Sequence, residues 1–96
     1  MTIKLKKFGI TLTSRDEGRE AFNVTKTLLK NLKKDEELIL DFNGVYTFSP
    51  SWGDEFLTNL HKKYKDKLIL LNTQNPSVVA TLEMLTELNN TKFNLK

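Results

Sequence analysis

Two short, almost wholly apolar runs, Leu38-Ile39-Leu40 and Leu68-Ile69-Leu70-Leu71, are separated by segments whose apolar residues recur every three or four positions. Runs of this length suit strands buried on both faces of a parallel sheet, and the helical periods between them supply the crossovers that parallel strands need. An α/β architecture follows. The first helix is announced by Ser14, a cap for the amide three residues on, with Glu17 placed to reach back in a capping box. Its apolar stripe is expected at Ala21, Val24, Leu28 and Leu32, with Leu29 beside them. Ser49-Pro50 opens the second helix, serine as cap and proline at the first helical position, and the stripe there is Trp52, Phe56, Leu60 and Tyr64, widened by Leu57. Asn75-Pro76 opens the third, with Val79, Leu82, Leu85 and Leu88 as its stripe. Residues 3–12 alternate loosely around Phe8-Gly9 and read as one bulged strand or a two-part edge strand. Asn43-Gly44 ends or bends the strand that Leu38 begins, and residues 89–96 are a short final strand or a frayed end.

At 96 residues the chain is expected to be a single domain, 1–96, too short for a second core. The expected sheet has three or four mainly parallel strands with the helices largely on one face, leaving the other partly open or covered by another molecule. No cysteine is present, so disulfides, thiolate catalysis and cysteine zinc sites are excluded. The N-terminus has neither an apolar run of signal-peptide length nor a small-residue cleavage site, and a cytoplasmic location is the expectation. A net charge of +3 comes from fifteen basic residues against twelve carboxylates. Only Arg15 and Arg19 among the basic residues are arginine, which weakens a nucleic-acid reading.

The four glycines, Gly9, Gly18, Gly44 and Gly53, form no phosphate-cradling loop. The single histidine, His61, lies at the far end of the second helix and reads as a solvated last-turn residue. Asp54 and Glu55 are adjacent, so on a regular helix they point about 100° apart, with no third acid near to complete a metal site. No cofactor and no metal are implied. Asp41 ends the first apolar run at the carboxyl edge where open α/β sheets meet ligands; alternatively it accepts amides of the turn organised by Gly44. Ser49 and Ser51 stand at a helix N-terminus, where free amides favour a phosphate, though capping alone accounts for a hydroxyl there. Trp52 reads as a core anchor, or as a half-exposed binding hot spot. Basic residues cluster at Lys4 to Lys7, Lys30 to Lys34 and His61 to Lys67, on different elements.

The segment Leu40-Asp41-Phe42-Asn43-Gly44-Val45 and the serine-bearing helix start after it resemble STAS domains, the fold shared by bacterial anti-sigma-factor antagonists and the cytoplasmic parts of sulfate transporters. Asn72 to Val78 is similar to the loop before the third helix of that fold. The closer resemblance is to a single-domain, STAS-like bacterial family of unknown function, carried by Asp41, Phe42, Gly44, Val45, Ser49, Ser51, Trp52, Gly53, Asp54 and Glu55. In the antagonists a serine at this helix start is phosphorylated by a kinase that is also the binding partner, and Ser51 matches it. The chain departs from the antagonist pattern in having Ser49 for aspartate, Pro50 for serine and Trp52 for glycine, and a ring there obstructs a kinase pocket shaped for the antagonist loop. The resemblance implies a histidine-kinase-like ATPase or a serine kinase as protein partner.

The expected function is therefore a non-enzymatic signalling module that binds a protein through Ser49, Ser51, Trp52, Asp54 and Glu55, with Asp41 and Gly44 organising the loop and Ser51 as phosphoacceptor. Two alternatives belong to other classes. A nucleic-acid-binding module requires the lysine clusters to converge on one face. A small hydrolase or transferase requires a deep pocket beside Ser51 with Asp41 in hydrogen-bond reach.

Overall fold

Each apolar run does form a strand, and each helical period a helix, in a computed structural model that describes residues 1–96. The order is β1 (Thr2–Lys4), a 3-10 turn (Leu5–Phe8), β2 (Thr11–Leu12), α1 (Arg15–Leu29), β3 (Leu38–Asp41) and β4 (Thr47–Phe48). A helical rod follows, made of α2 (Pro50–Gly53), a π-helical turn (Asp54–Thr58) and α3 (Asn59–Tyr64). A 3-10 turn (Lys65–Lys67) leads to β5 (Leu68–Leu71), and α4 (Pro76–Asn89) leads to β6 (Asn94–Leu95). The tail is thus a strand.

Strands β1, β3, β5 and β6 form one parallel sheet in that order. Because the order never reverses and crossovers share one hand, all three helical connections fall on the same face. The registers agree with this. Ile3, Leu40 and Leu70 are aligned across the sheet, and they join Leu38 and Leu68 in a core cluster of 20 buried residues. The opposite face carries Thr2, Lys4, Ile39, Asp41 and Leu71, exposed or half-buried, around a buried Ile69. No helix is long and apolar enough to cross a membrane.

Residues 3–12 are not one strand. The 3-10 turn divides them, and β2 pairs with β4 in a separate two-stranded parallel patch. Leu5 is buried while Ile10 is exposed, so the loose alternation does not mark a single face.

Two helical stripes are rotated from expectation. The buried face of α1 is Gly18, Ala21, Thr25 and Leu29, whereas Val24 is 49% exposed and Leu28 lies at the margin. Small residues explain the choice. A Cβ on Gly18 would lie 2.6 Å from the Trp52 carbonyl oxygen and 2.9 Å from its Cα, so α1 approaches α2 backbone to backbone. On α4 the buried residues are Val78, Thr81, Leu82 and Leu85, while Val79 and Leu88 face outward. Here polar bonding decides. The Ser77 hydroxyl accepts from the Phe48 amide at 2.9 Å, and Ser77 and Thr81 donate to the Phe48 carbonyl. These bonds satisfy the backbone of β4 that its two-residue pairing leaves free. The middle rod matches expectation, with Trp52, Phe56, Leu57 and Leu60 buried.

Candidate functional site

The loop after β3 is shaped residue by residue. Val45 donates its amide to the Phe42 carbonyl at 3.0 Å, closing a turn in which Gly44 has φ of +87°. Glycine takes that third turn position without strain. Asp41 caps the turn: its Oδ1 accepts from the Asn43 amide at 2.9 Å and from the Asn72 side-chain amide at 2.7 Å. Those bonds, the one from Asn72 foremost, hold its carboxyl below the usual carboxylate range, with Lys4 and Lys6 adding smaller contributions. Asn75 completes the frame. Its side-chain amide donates to the carbonyls of Val45 and Tyr46 at 3.1 Å each, while its oxygen caps α4 through the Ser77 amide at 2.7 Å.

The frame delivers the chain to Ser49. Its amide donates to the Leu12 carbonyl at 2.9 Å, and its hydroxyl donates to the Thr13 carbonyl at 2.8 Å and accepts from the Trp52 amide at 3.3 Å. Ser49 is therefore the cap, with Pro50 at the first helical position. Ser51, the next residue on, is half-buried and its hydroxyl takes no hydrogen bond within the chain. The two serines of the sequence motif thus divide: one hydroxyl is fully engaged by the backbone, and the other is free at the end of a helix that favours negative charge.

Trp52 is 1% exposed, which corrects its expected place on a contact surface. Its ring packs on Phe56 at 4.7 Å between centroids and on Phe8 and Phe48 at 6.0 Å each. Burying the ring among aromatics is worth far more than leaving it wet, at about 3 kcal/mol or more. Pointing inward, it also does not stand in front of Ser51. Gly53 is pressed on the other side, where a Cβ would lie 3.0 Å from both Leu85 and Phe48. The first turn of α2 is clamped between α1 and α4.

Asp54 and Glu55 share partners on α1. Arg15 reaches Asp54 at 3.3 Å and Glu55 at 3.5 Å, and Arg19 reaches Glu55 at 3.0 Å and Asp16 at 3.3 Å. Both carboxylates lie within reach of α1 where the rod passes from α-helical to π-helical pairing. Arg15 and Arg19 are the site residues that sequence reasoning left without a role. Their spacing of four, which sets two side chains on one helix face, was the available signal.

The lysine clusters do not all diverge. Lys33, Lys34, Lys63, Lys65 and Lys67 line one cavity of about 460 Å³, while Lys4 to Lys7 lie elsewhere. His61 is half-buried against Phe93, with ring centroids 5.1 Å apart, rather than simply solvated. No three His, Asp or Glu side chains gather as metal ligands. Three cavities open on the surface, and neither Ser51 nor Asp41 lines any of them.

The model of a family described as a STAS-like domain of unknown function (DUF4325) matches residues 20–78. The chain belongs to this family. No curated protein and no solved structure matches the chain. The matched segment of the STAS-like domain holds Asp41, Gly44, Ser49, Ser51, Trp52, Asp54 and Glu55. It begins one residue after Arg19, so the two arginines lie outside it.

Proposed function

We propose that this STAS-like domain is a non-enzymatic signalling module that binds a protein partner through the loop before α2 and the first turn of α2, and that phosphorylation of Ser51 switches the association. One observation carries the reading: Ser49 supplies the cap, which leaves the Ser51 hydroxyl unbonded and partly open on a clamped helix start. A modifying enzyme gains a hydroxyl there without breaking a structural bond. The contact surface consists of Ser51 with Asp54 and Glu55, while Ser49, Trp52, Asp41 and Gly44 hold it in shape.

A phosphate on Ser51 adds about −1.5 to −2 charges. Asp54 and Glu55 lie one turn along the same helix face and are shared between Arg15 and Arg19, both about half exposed. The phosphate, a stronger acceptor than a carboxylate, competes with Asp54 for Arg15. The switch therefore changes the surface twice, by adding a charge and by redistributing the arginines. The partner in this reading is a histidine-kinase-like ATPase or a serine kinase, acting in the cytoplasm where ATP is available.

Incubation with kinases encoded beside the gene, followed by phosphosite mapping by mass spectrometry, tests the proposal. Phosphate on Ser51 is expected. Modification confined to other residues, or none with a kinase that binds the domain, contradicts it.

A further inference from the structure

Two of the lysine-rich segments meet at the end of the sheet where the strands begin. β3 and β5 pair from their first residues, Leu38 opposite Leu68, so the loops leading into them are neighbours. Lys67 ties them together, its ammonium donating to the Lys34 carbonyl and lying 3.8 Å from Asp35. Between the loops is the cavity of about 460 Å³ lined by Lys33, Lys34, Lys63, Lys65 and Lys67, with Tyr64 as one wall. Two carboxylates also line it, Glu36 and Asp66. Glu36 is already engaged by the N-terminal ammonium at 2.8 Å and the Lys33 amide at 3.2 Å. Of the five lysines only Lys67 has a carboxylate within ion-pair distance.

A second observation falls on the same cavity. Lys65 has φ of 48° and ψ of −120°, a backbone conformation suited to glycine. The other non-glycine residues with positive φ are Asn72 and Asn90, and asparagine tolerates that region. Lys65 ends α3, its amide donating to the His61 carbonyl, and this conformation sets the lysine on the concavity.

We propose that this cavity binds a compact anion carrying several phosphate groups. Five lysines line the hollow against two carboxylates, one of them already engaged by the N-terminal ammonium, and a multiply charged anion offsets that positive excess. Lysine acts as a flexible point charge toward phosphate oxygens, and the volume is in the range of small-ligand sites. The third lysine cluster lies at the opposite end of the strands, Lys4 in register with Asp41 and Lys6 against Gly44. The basic surface is therefore a closed patch, without the continuous track that a nucleic-acid strand follows. The site shares no residue with α2 and stands independently of the Ser51 switch.

Titration of the whole chain with inorganic triphosphate at about 0.15 M salt, followed calorimetrically, tests this. Saturable one-to-one binding is expected, weakened about tenfold or more in a Lys33→Ala/Lys65→Ala variant. Lys65→Gly separates site from scaffold: it is expected to melt higher than the wild type, through relief of strain, while binding triphosphate several-fold more weakly. The proposal is overturned by non-saturable binding, or by affinity unchanged in either variant. Tighter binding of a single-stranded oligonucleotide than of triphosphate also overturns it, and makes the patch a nucleic-acid surface.

Discussion

Ser49 and Ser51 differ by two positions and by everything their hydroxyls do. Ser49→Ala removes a cap and leaves the Thr13 carbonyl without its donor, and is expected to cost about 1–2 kcal/mol. Ser51→Ala removes no bond and is expected to stay within about 0.5 kcal/mol of the wild type. Urea denaturation of the two variants checks the division of roles, and equal losses would refute it. Gly18→Ala sets a methyl 2.6 Å from a backbone oxygen that no side-chain rotation relieves, and a loss of about 3 kcal/mol is expected in the same measurement. Asp41 makes stability depend on pH. Because Asn72 and Asn43 lower its pKa in the folded state, the native chain binds fewer protons there than the unfolded chain. The stabilisation is full above the ordinary carboxylate value of about 4 and is lost as pH falls through the lowered value. Asn72→Ala raises that pKa, so its stability deficit relative to the wild type is expected at neutral pH and should shrink in acid. A deficit independent of pH would show that Asn72 acts through packing alone. Ser49-Pro50 and Asn43-Gly44 were legible in the sequence because a cap and a turn are local. The partners of Asp54 and Glu55 were not, since Arg15 and Arg19 lie 36 to 40 positions away.

At the scale of elements, the sequence pattern located every helix and both central strands, and it placed Ala21, Leu29, Leu82 and Leu85 inside but also Val24, Leu28, Val79 and Leu88, which are exposed. Hydrophobic period alone favoured Val24 and Leu28 over Thr25, yet backbone contact at Gly18 selects the narrow side of α1. On α4, the hydroxyls that satisfy β4 pulled Thr81 inward at the expense of Val79. The π-helical turn had no signature in the sequence. Thr25 bears the cost of the α1 rotation: it is fully buried and its hydroxyl has no hydrogen-bond partner. Thr25→Val keeps the shape and removes the unsatisfied group, so a gain of about 1 kcal/mol is expected on thermal denaturation. A loss would mean that the hydroxyl is bonded in solution. By contrast, Arg19→Ala breaks only exposed ion pairs and is expected to cost less than about 1 kcal/mol.

Across the whole molecule, the monotonic order of the parallel strands gathers the helices on one face and leaves no reversal point at which a ligand crevice would form. Asp41, at the carboxyl edge of β3, ties the Asn43-Gly44 turn to Asn72. The fold instead presents the clamped start of α2 on one surface and a lysine hollow where β3 and β5 begin. The alternation of strand and helix made the sheet legible from the sequence. The meeting of two lysine clusters was not, because it depends on the pairing of Leu38 with Leu68. In the proposed function, charge on Ser51 governs association with a protein partner. Equilibrium binding of the kinase partner to Ser51→Ala and to Ser51→Asp tests it most directly. The alanine variant is expected to bind like the unmodified domain and the aspartate variant at least about tenfold more weakly, because like charges placed in an interface are costly. Equal affinities for the two variants would contradict it.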